Sequence, residues 1–319
     1  MNAPQSDNNF FSRLRSSFRQ SLKSLDTEET IDIYFYRPIG YAWAVLARRL
    51  GISPNAITIA SIFIGIAAGI AFYPDKLWIN VIGMLLLIWA NSFDSADGQL
   101  ARMTHQYSRI GRILDGLSGD FWFATIYICI CLRENATSPF FASHPWLIWA
   151  IAVVTGICHA KQAAMADYYR QFHLYFLKGA GGSELDSATE LRRKYIEEKS
   201  SSSLLKRLTA LGYLNYTKNQ EAMTPRMQQL RAALRERYPD GDIPPAFRSE
   251  FRRLSLPLMK YTNILSFNWR TIALFTSLFI GMPWLYFMFE LIVLNALMLY
   301  MVRRHESICR RLTSTLQTS

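Results

Sequence analysis

Cysteine is scarce: the 319 residues include four, Cys129, Cys131, Cys158 and Cys309. All lie in or beside apolar blocks and none has metal-site spacing. They read as small buried residues, which excludes a disulfide framework and a zinc centre. An early apolar core is also missing. Residues 1–30 are polar and charged, so no cleavable secretory signal is expected. No internal repeat is visible. Charge is missing from whole stretches, with none from Leu77 to Ala90 or from Phe121 to Leu132. A soluble Rossmann-like enzyme would not show such gaps.

What is there is segregated. Half of the residues are hydrophobic, yet the net charge is +11. Apolar blocks of membrane length alternate with basic polar segments. This points to anionic membrane lipids and phosphate-bearing substrates as partners, not to nucleic acid. The expected fold is an all-α integral membrane protein with six spans. They run from about Pro54 to Phe72, Leu77 to Asp97, Gly111 to Leu132, Pro145 to Met165, Asn263 to Gly281 and Pro283 to Val302. Four parts follow: 1–50 is interfacial, 51–170 holds four spans and the motif, 171–260 is a cytoplasmic helical insertion, and 261–319 holds two spans and a basic tail. Within 1–50, Phe11, Leu14, Phe18, Leu22 and Leu25 recur at helical spacing between basic residues, as in an amphipathic helix. That helix lies on an anionic membrane or docks on the enzyme's own loops. Loop charge puts both termini, the insertion and the motif on the cytoplasmic side.

The chain is organised around Asp94-Ser-Ala-Asp97-Gly98-Gln-Leu-Ala101-Arg102, then Gly111-Arg-Ile-Leu-Asp115, then Asp120. These acids stand where one apolar run ends and the next begins. Carboxylates there are costly unless a cation meets them. A divalent ion with oxygen ligands, Mg²⁺ or Mn²⁺, meets several at once. Asp94 and Asp97 are i, i+3 and share a helix face. Gly98 and Ala101 let a ligand approach the backbone. Arg102 is a fixed charge suited to phosphate. Gly111 and Asp115 share a face of the next helix.

This pattern resembles the CDP-alcohol phosphotransferase signature, D-x-x-D-G-x-x-A-R, a spacer, then G-x-x-x-D-x-x-x-D. Every position up to Asp115 matches. The resemblance implies a membrane enzyme with two metal ions that cleaves a CDP-linked substrate, passes a phosphoryl-linked group to an alcohol and releases CMP in lipid synthesis. It also implies a homodimer and nucleotide contacts from Asn55, Thr58, Gly98, Ala101, Arg102 and Gly111; a bacterial cytoplasmic membrane is the expected location. Asp94, Asp97, Asp115 and Asp120 would hold the metals, and Asp115 and Asp120 would be catalytic.

One position departs. Gly119 stands where the family's last Asp belongs, and Asp120 follows it. On a regular helix Asp120 is turned about 140° from Asp115. A π-bulge over Gly116–Gly119 would return it to the shared face, and that is the expectation.

Cations further on bear on the acceptor. Lys161 either binds substrate phosphate or snorkels to headgroups. Arg270, inside an apolar run, needs an anion: a substrate phosphate, or an internal Asp or Glu. With Arg170, these favour CDP-diacylglycerol as donor and a phosphorylated acceptor such as inositol phosphate or glycerol phosphate. Transfer of CDP-choline or CDP-ethanolamine to a lipid alcohol is the alternative within the family. A cation transporter is the alternative outside it, but a cation pathway has no need of Ala-Arg at that offset.

Overall fold

The computed structural model describes residues 24, 26–179, 185–198 and 204–318. The expected amphipathic helix of residues 10–25 lies outside them except for Ser24. The described chain is helical, with no strand among those residues. It divides into two units: Met1–Gly156 with Thr271–Phe289, and Ile157–Arg270 with Glu290–Ser319.

Unit 1 opens with a π-helical turn, Asp32–Tyr36, that runs into α1, Arg37–Arg49. Gly51, at φ +69°, turns the chain. Helix α2, Pro54–Ile70, starts with Pro at its first position and with Ser53 accepting from the Ala56 amide; both are favoured N-terminal arrangements. Helix α3 is Leu77–Thr104 and α4 is Arg109–Thr137. The turn between them is tight. His105 ends α3 in the left-handed region at φ 55°, and the Ser108 side chain caps α4 by accepting from the Gly111 amide at 2.8 Å. The two acid-bearing helices are thereby joined by four residues.

Small residues let these helices approach closely, as in membrane bundles generally. A Cβ on Gly65 would stand 2.1 Å from the Trp122 ring, and one on Gly69 would stand 2.9 Å from Thr125. Trp122 also donates its indole N–H to the Ser61 carbonyl at 3.1 Å. Away from the acids, the buried Arg133 guanidinium bonds Asn80 (2.8 Å) and the Phe72 carbonyl (3.2 Å), and pairs with Asp75. The short α5 is Pro139–Ser143.

Helix α6, Pro145–Lys178, outruns the expected fourth span by more than three turns. Its later part carries the helices of the insertion in unit 2: α7 (Ala188–Glu198), α8 (Leu204–Ala222), α9 (Pro225–Arg237) and α10 (Pro245–Ser255). They are packed against their neighbours. Gln220 donates to the Ala164 carbonyl at 2.8 Å, Gln228 donates to the Tyr168 hydroxyl at 2.6 Å, and Phe176 stacks on Phe251 at 4.0 Å. The Glu306 carboxylate accepts the first amides of α9, from Arg226 (2.7 Å) and Met227 (3.1 Å). A carboxylate favours a helix N-terminus in this way.

The expected fifth span is broken. Leu265 and Ser266 separate α11, Met259–Ile264, from α12, Phe267–Phe279. The 13 residues of α12 reach about 20 Å, short of the roughly 30 Å of a bilayer core. The last stretch comprises α13 (Leu285–Met288), a π-turn (Phe289–Leu294) and α14 (Asn295–Thr318). Among the described residues, four helical stretches are long and apolar enough to cross a membrane: Leu77–Thr104, Leu114–Thr137, Pro145–Leu177 and Leu285–Gln317; Pro54–Ile70 is apolar but has 17 residues.

Candidate metal centre

Three acids converge in unit 1. Asp94 and Asp97 come from α3 and Asp115 from α4, and one carboxylate oxygen of each lies within 4.8 Å of the others. At that spacing each pair of charges repels by about 3 kcal/mol for the screening typical near a protein surface. A neutral hydrogen bond returns about 1 kcal/mol. The hydroxyl donors present are therefore weak beside that repulsion, and the three carboxylates could together hold a metal ion. The donors are all hard oxygens, which fits a divalent ion of the Mg²⁺ or Mn²⁺ type.

The acids differ in access. Asp97 is 4 % exposed, Asp94 is half-buried and Asp115 is exposed. Two hydroxyls orient them. Thr58, on α2, donates to Asp97, and Ser118, one turn after Asp115, donates to Asp94 at 2.7 Å. Ser118 was invisible as a functional residue in the sequence, where it read only as a small side chain. Its i+3 offset from Asp115 was the available signal.

Other expected residues are placed as follows. Gly111 has no space for a side chain, because a Cβ would stand 2.3 Å from Asn55 Oδ1 and 2.8 Å from Ser108 Oγ. Asn55 accepts from Ser108 at 3.2 Å, so it braces the start of α4. Thr58 is 2 % exposed, and its hydroxyl serves Asp97. Above Gly98 the nearest atoms are the Arg102 guanidinium nitrogens, at 3.5 and 3.8 Å, so Arg102 folds back over that glycine. Ala101 and Arg102 are half-buried. Arg102 Nε and Nη2 are buried without an acceptor. A buried cation with open donors is costly unless an anion arrives.

Residues before α2 also support α3. Arg37 makes a two-pronged bond to Glu28 (2.9 and 3.1 Å) and reaches Ser95 Oγ at 3.4 Å. Its carbonyl accepts from Gln99 at 3.1 Å. No spacing in the sequence marked this link, because its partners are 9, 58 and 62 residues apart.

Two expectations are corrected. The π-bulge over Gly116–Gly119 is absent, and α4 is α-helical from Arg109 to Thr137. Asp120 is therefore five positions beyond Asp115 on a regular helix, and the acids whose oxygens lie within 4.8 Å of one another are Asp94, Asp97 and Asp115. Small residues permit a bulge there but nothing forces one: a Cβ on Gly116 or Gly119 would meet no atom within 4 Å. Arg270 is the second. In unit 2 it is 1 % exposed and bonds Glu290 and Gln162, each at 2.8 Å, with His159 at 2.9 Å and the Leu265 carbonyl at 3.3 Å. Its anion is an internal Glu, so it is not available to an acceptor phosphate. The π-turn at Phe289–Leu294 leaves the Glu290 carbonyl to accept from Gln162 at 3.0 Å. Arg170 reaches Ser266 (2.9 Å) and Asn263 (3.4 Å), and Lys161 is exposed on α6.

Residues 51–173 match the family model described as CDP-alcohol phosphatidyltransferase. The chain carries a CDP-alcohol phosphatidyltransferase domain. All three clustered acids, Arg102 and Gly111 fall inside the matched residues. The match supports a transferase that passes a phosphoryl-linked group from a CDP-alcohol to an acceptor, and the apolar helices indicate an integral membrane protein. No curated protein matches the chain.

Proposed function

We propose that this domain draws its CDP-linked donor from the bilayer, most fittingly CDP-diacylglycerol, and hands the phosphatidyl group to a soluble alcohol with release of CMP. The observation that carries the reading is the convergence of Asp94, Asp97 and Asp115 within 4.8 Å. Those acids would hold two divalent ions, Mg²⁺ or Mn²⁺, which supply charge neutralisation at the diphosphate. Arg102 brings the second positive charge, through the two nitrogens that have no acceptor. Fixed cations of this kind carry much of phosphoryl transfer by positioning and by electrostatics.

Thr58 and Ser118 keep the carboxylates turned inward. Asp115 is the exposed acid of the three, so it is the one an acceptor hydroxyl can reach, and we assign it the proton of that hydroxyl. The two acid-bearing helices also present apolar side chains outward. Leu85 and Trp89 on α3 are 62 % and 43 % exposed, and Leu117 and Phe121 on α4 are 41 % and 47 % exposed. A lipid-linked donor can thus keep its tails in the membrane while its diphosphate meets the acids. We place the acids on the cytoplasmic side of a bacterial membrane, where the arginine-rich segments also belong.

The test uses purified protein in detergent with Mg²⁺ or Mn²⁺, and reads CMP release from CDP-diacylglycerol and from CDP-choline across a panel of alcohols. CMP release from CDP-diacylglycerol that chelation abolishes is expected. Asp94→Asn and Asp115→Asn should lose it while keeping the helical circular-dichroism spectrum. Turnover of CDP-choline alone would overturn the donor assignment, and full activity of either variant would overturn the site.

A further inference from the structure

Unit 2 carries a surface that this chemistry does not use. Along its last helical stretch the exposed side chains change character abruptly. Ile292, Val293, Leu299 and Tyr300 are exposed and apolar or aromatic, and Arg303, Arg304, Arg310 and Arg311 are exposed and cationic. Two short elements pack alongside. Helix α11 meets α14 where the Thr262 hydroxyl lies 3.3 Å from Met301 Sδ, and where Tyr261 and Tyr300 meet edge to face at 5.3 Å. Lys260 Nζ stands 4.8 Å over the Tyr261 ring. Helix α10 meets α14 further along, where Glu250 is 3.7 Å from Arg311 and 3.8 Å from Arg253.

The two segments therefore run antiparallel and line one edge with Arg253, Lys260, Arg303, Arg304, Arg310 and Arg311. Glu250 is the acid paired there, and the pairing is long and exposed. Glu306 serves the amides of α9 instead. Among the described residues, Arg303, Arg304 and Arg310 have no acidic partner. A strip of arginines with a single partly exposed acid among them, bordered by tyrosines and then by exposed apolar side chains, has the order of groups met at a membrane surface: acyl chain, interface, phosphate.

We propose that this strip is a docking surface for anionic phospholipid headgroups. Guanidinium groups suit it because they meet phosphate oxygens in a two-pronged geometry. The neighbouring exposed Ile292, Val293 and Leu299 decide the source of the phosphate, since a free anion has no use for an apolar border. The surface would bind the lipid whether or not the acid cluster is loaded, so it stands apart from the proposed reaction.

The experiment melts the full-length protein in neutral detergent micelles doped with phosphatidylglycerol or phosphatidylcholine, with inorganic phosphate as a separate arm. A ligand that binds the folded state raises the melting temperature. Phosphatidylglycerol should raise it by roughly 2–4 °C more than phosphatidylcholine. That excess should fade as salt rises to about 0.5 M, where screening shortens to a few ångströms. The triple variant Arg303→Gln, Arg304→Gln, Arg310→Gln should melt like wild type in neutral micelles and lose the excess. A triple variant that keeps the full shift, an equal shift with phosphatidylcholine, or the same shift from inorganic phosphate alone would each overturn the proposal. If the triple variant melts early in neutral micelles, Glu250→Gln decides. A larger phosphatidylglycerol shift after removal of that acid supports the surface, and an unchanged one overturns it.

Discussion

Thr58 donates its hydroxyl hydrogen to Asp97, and that bond ties the first apolar helix to the helix that carries two of the three acids. Both groups are buried, at 2 % and 4 % exposure. The carboxylate that water reaches least is thus held by a neighbour that cannot swing away.

Removing that hydroxyl should loosen the site without emptying it. Thr58→Val keeps the shape and deletes the donor. Bonds that orient a ligand in this way typically change metal affinity by about 10–100-fold. We expect Mn²⁺ to bind at least about tenfold more weakly, as read by titration of the free ion. An unchanged dissociation constant would show that Asp97 needs no such support.

Gly119→Asp should strengthen the site. Position 119 is four residues after Asp115 on a regular helix, so its side chain shares the face of the clustered acid. The space there is open, with no atom within 4 Å of a built Cβ. Tighter Mn²⁺ binding is the expected result. Weaker binding would mean that a fourth carboxylate adds repulsion the ions do not offset.

Gly65→Ala should cost stability. The new Cβ would land 2.1 Å from the Trp122 ring, and Trp122 is itself held by its bond to the Ser61 carbonyl. Overpacking of this kind costs about 1–3 kcal/mol. A lowered melting temperature in detergent checks it, and wild-type stability would show that α2 and α4 separate with ease.

The Arg270–Glu290 pair should behave as a scaffold. Arg270→Met leaves a buried carboxylate without its partner, which typically costs about 3–5 kcal/mol. Arg270→Met with Glu290→Met should recover much of that loss. The KM for the alcohol should stay unchanged in the double variant. A large rise in that KM, with the fold intact, would return Arg270 to the acceptor.

How far these features could be read from the sequence follows from how local they are. Asp94, Asp97 and Asp115 were legible because helical spacing sets which side chains share a face, and the short Asp–Arg–Gly–Asp pattern fits one helix-turn-helix. Thr58 was legible as a residue of the site, but its partner was not, since Asp97 lies 39 positions away. The bulge before Asp120 did not form because glycines lower the cost of a bulge without creating one. The π-turns occur instead at Asp32–Tyr36 and Phe289–Leu294. Arg270 was legible as a cation in need of an anion, but the choice between substrate and Glu290 depends on packing. The run Asn263–Gly281 looked long enough to span because hydropathy does not register the break at Leu265 and Ser266.

The packed rings of Phe172, Phe176 and Phe251 have a practical consequence. On paper the polar segment after α6 looks like an appendage that could be trimmed to give a smaller enzyme. Cutting out α10 would instead strip the cover from buried aromatic rings of α6. A shortened chain should therefore clump during production, and the whole segment belongs in any version made for study.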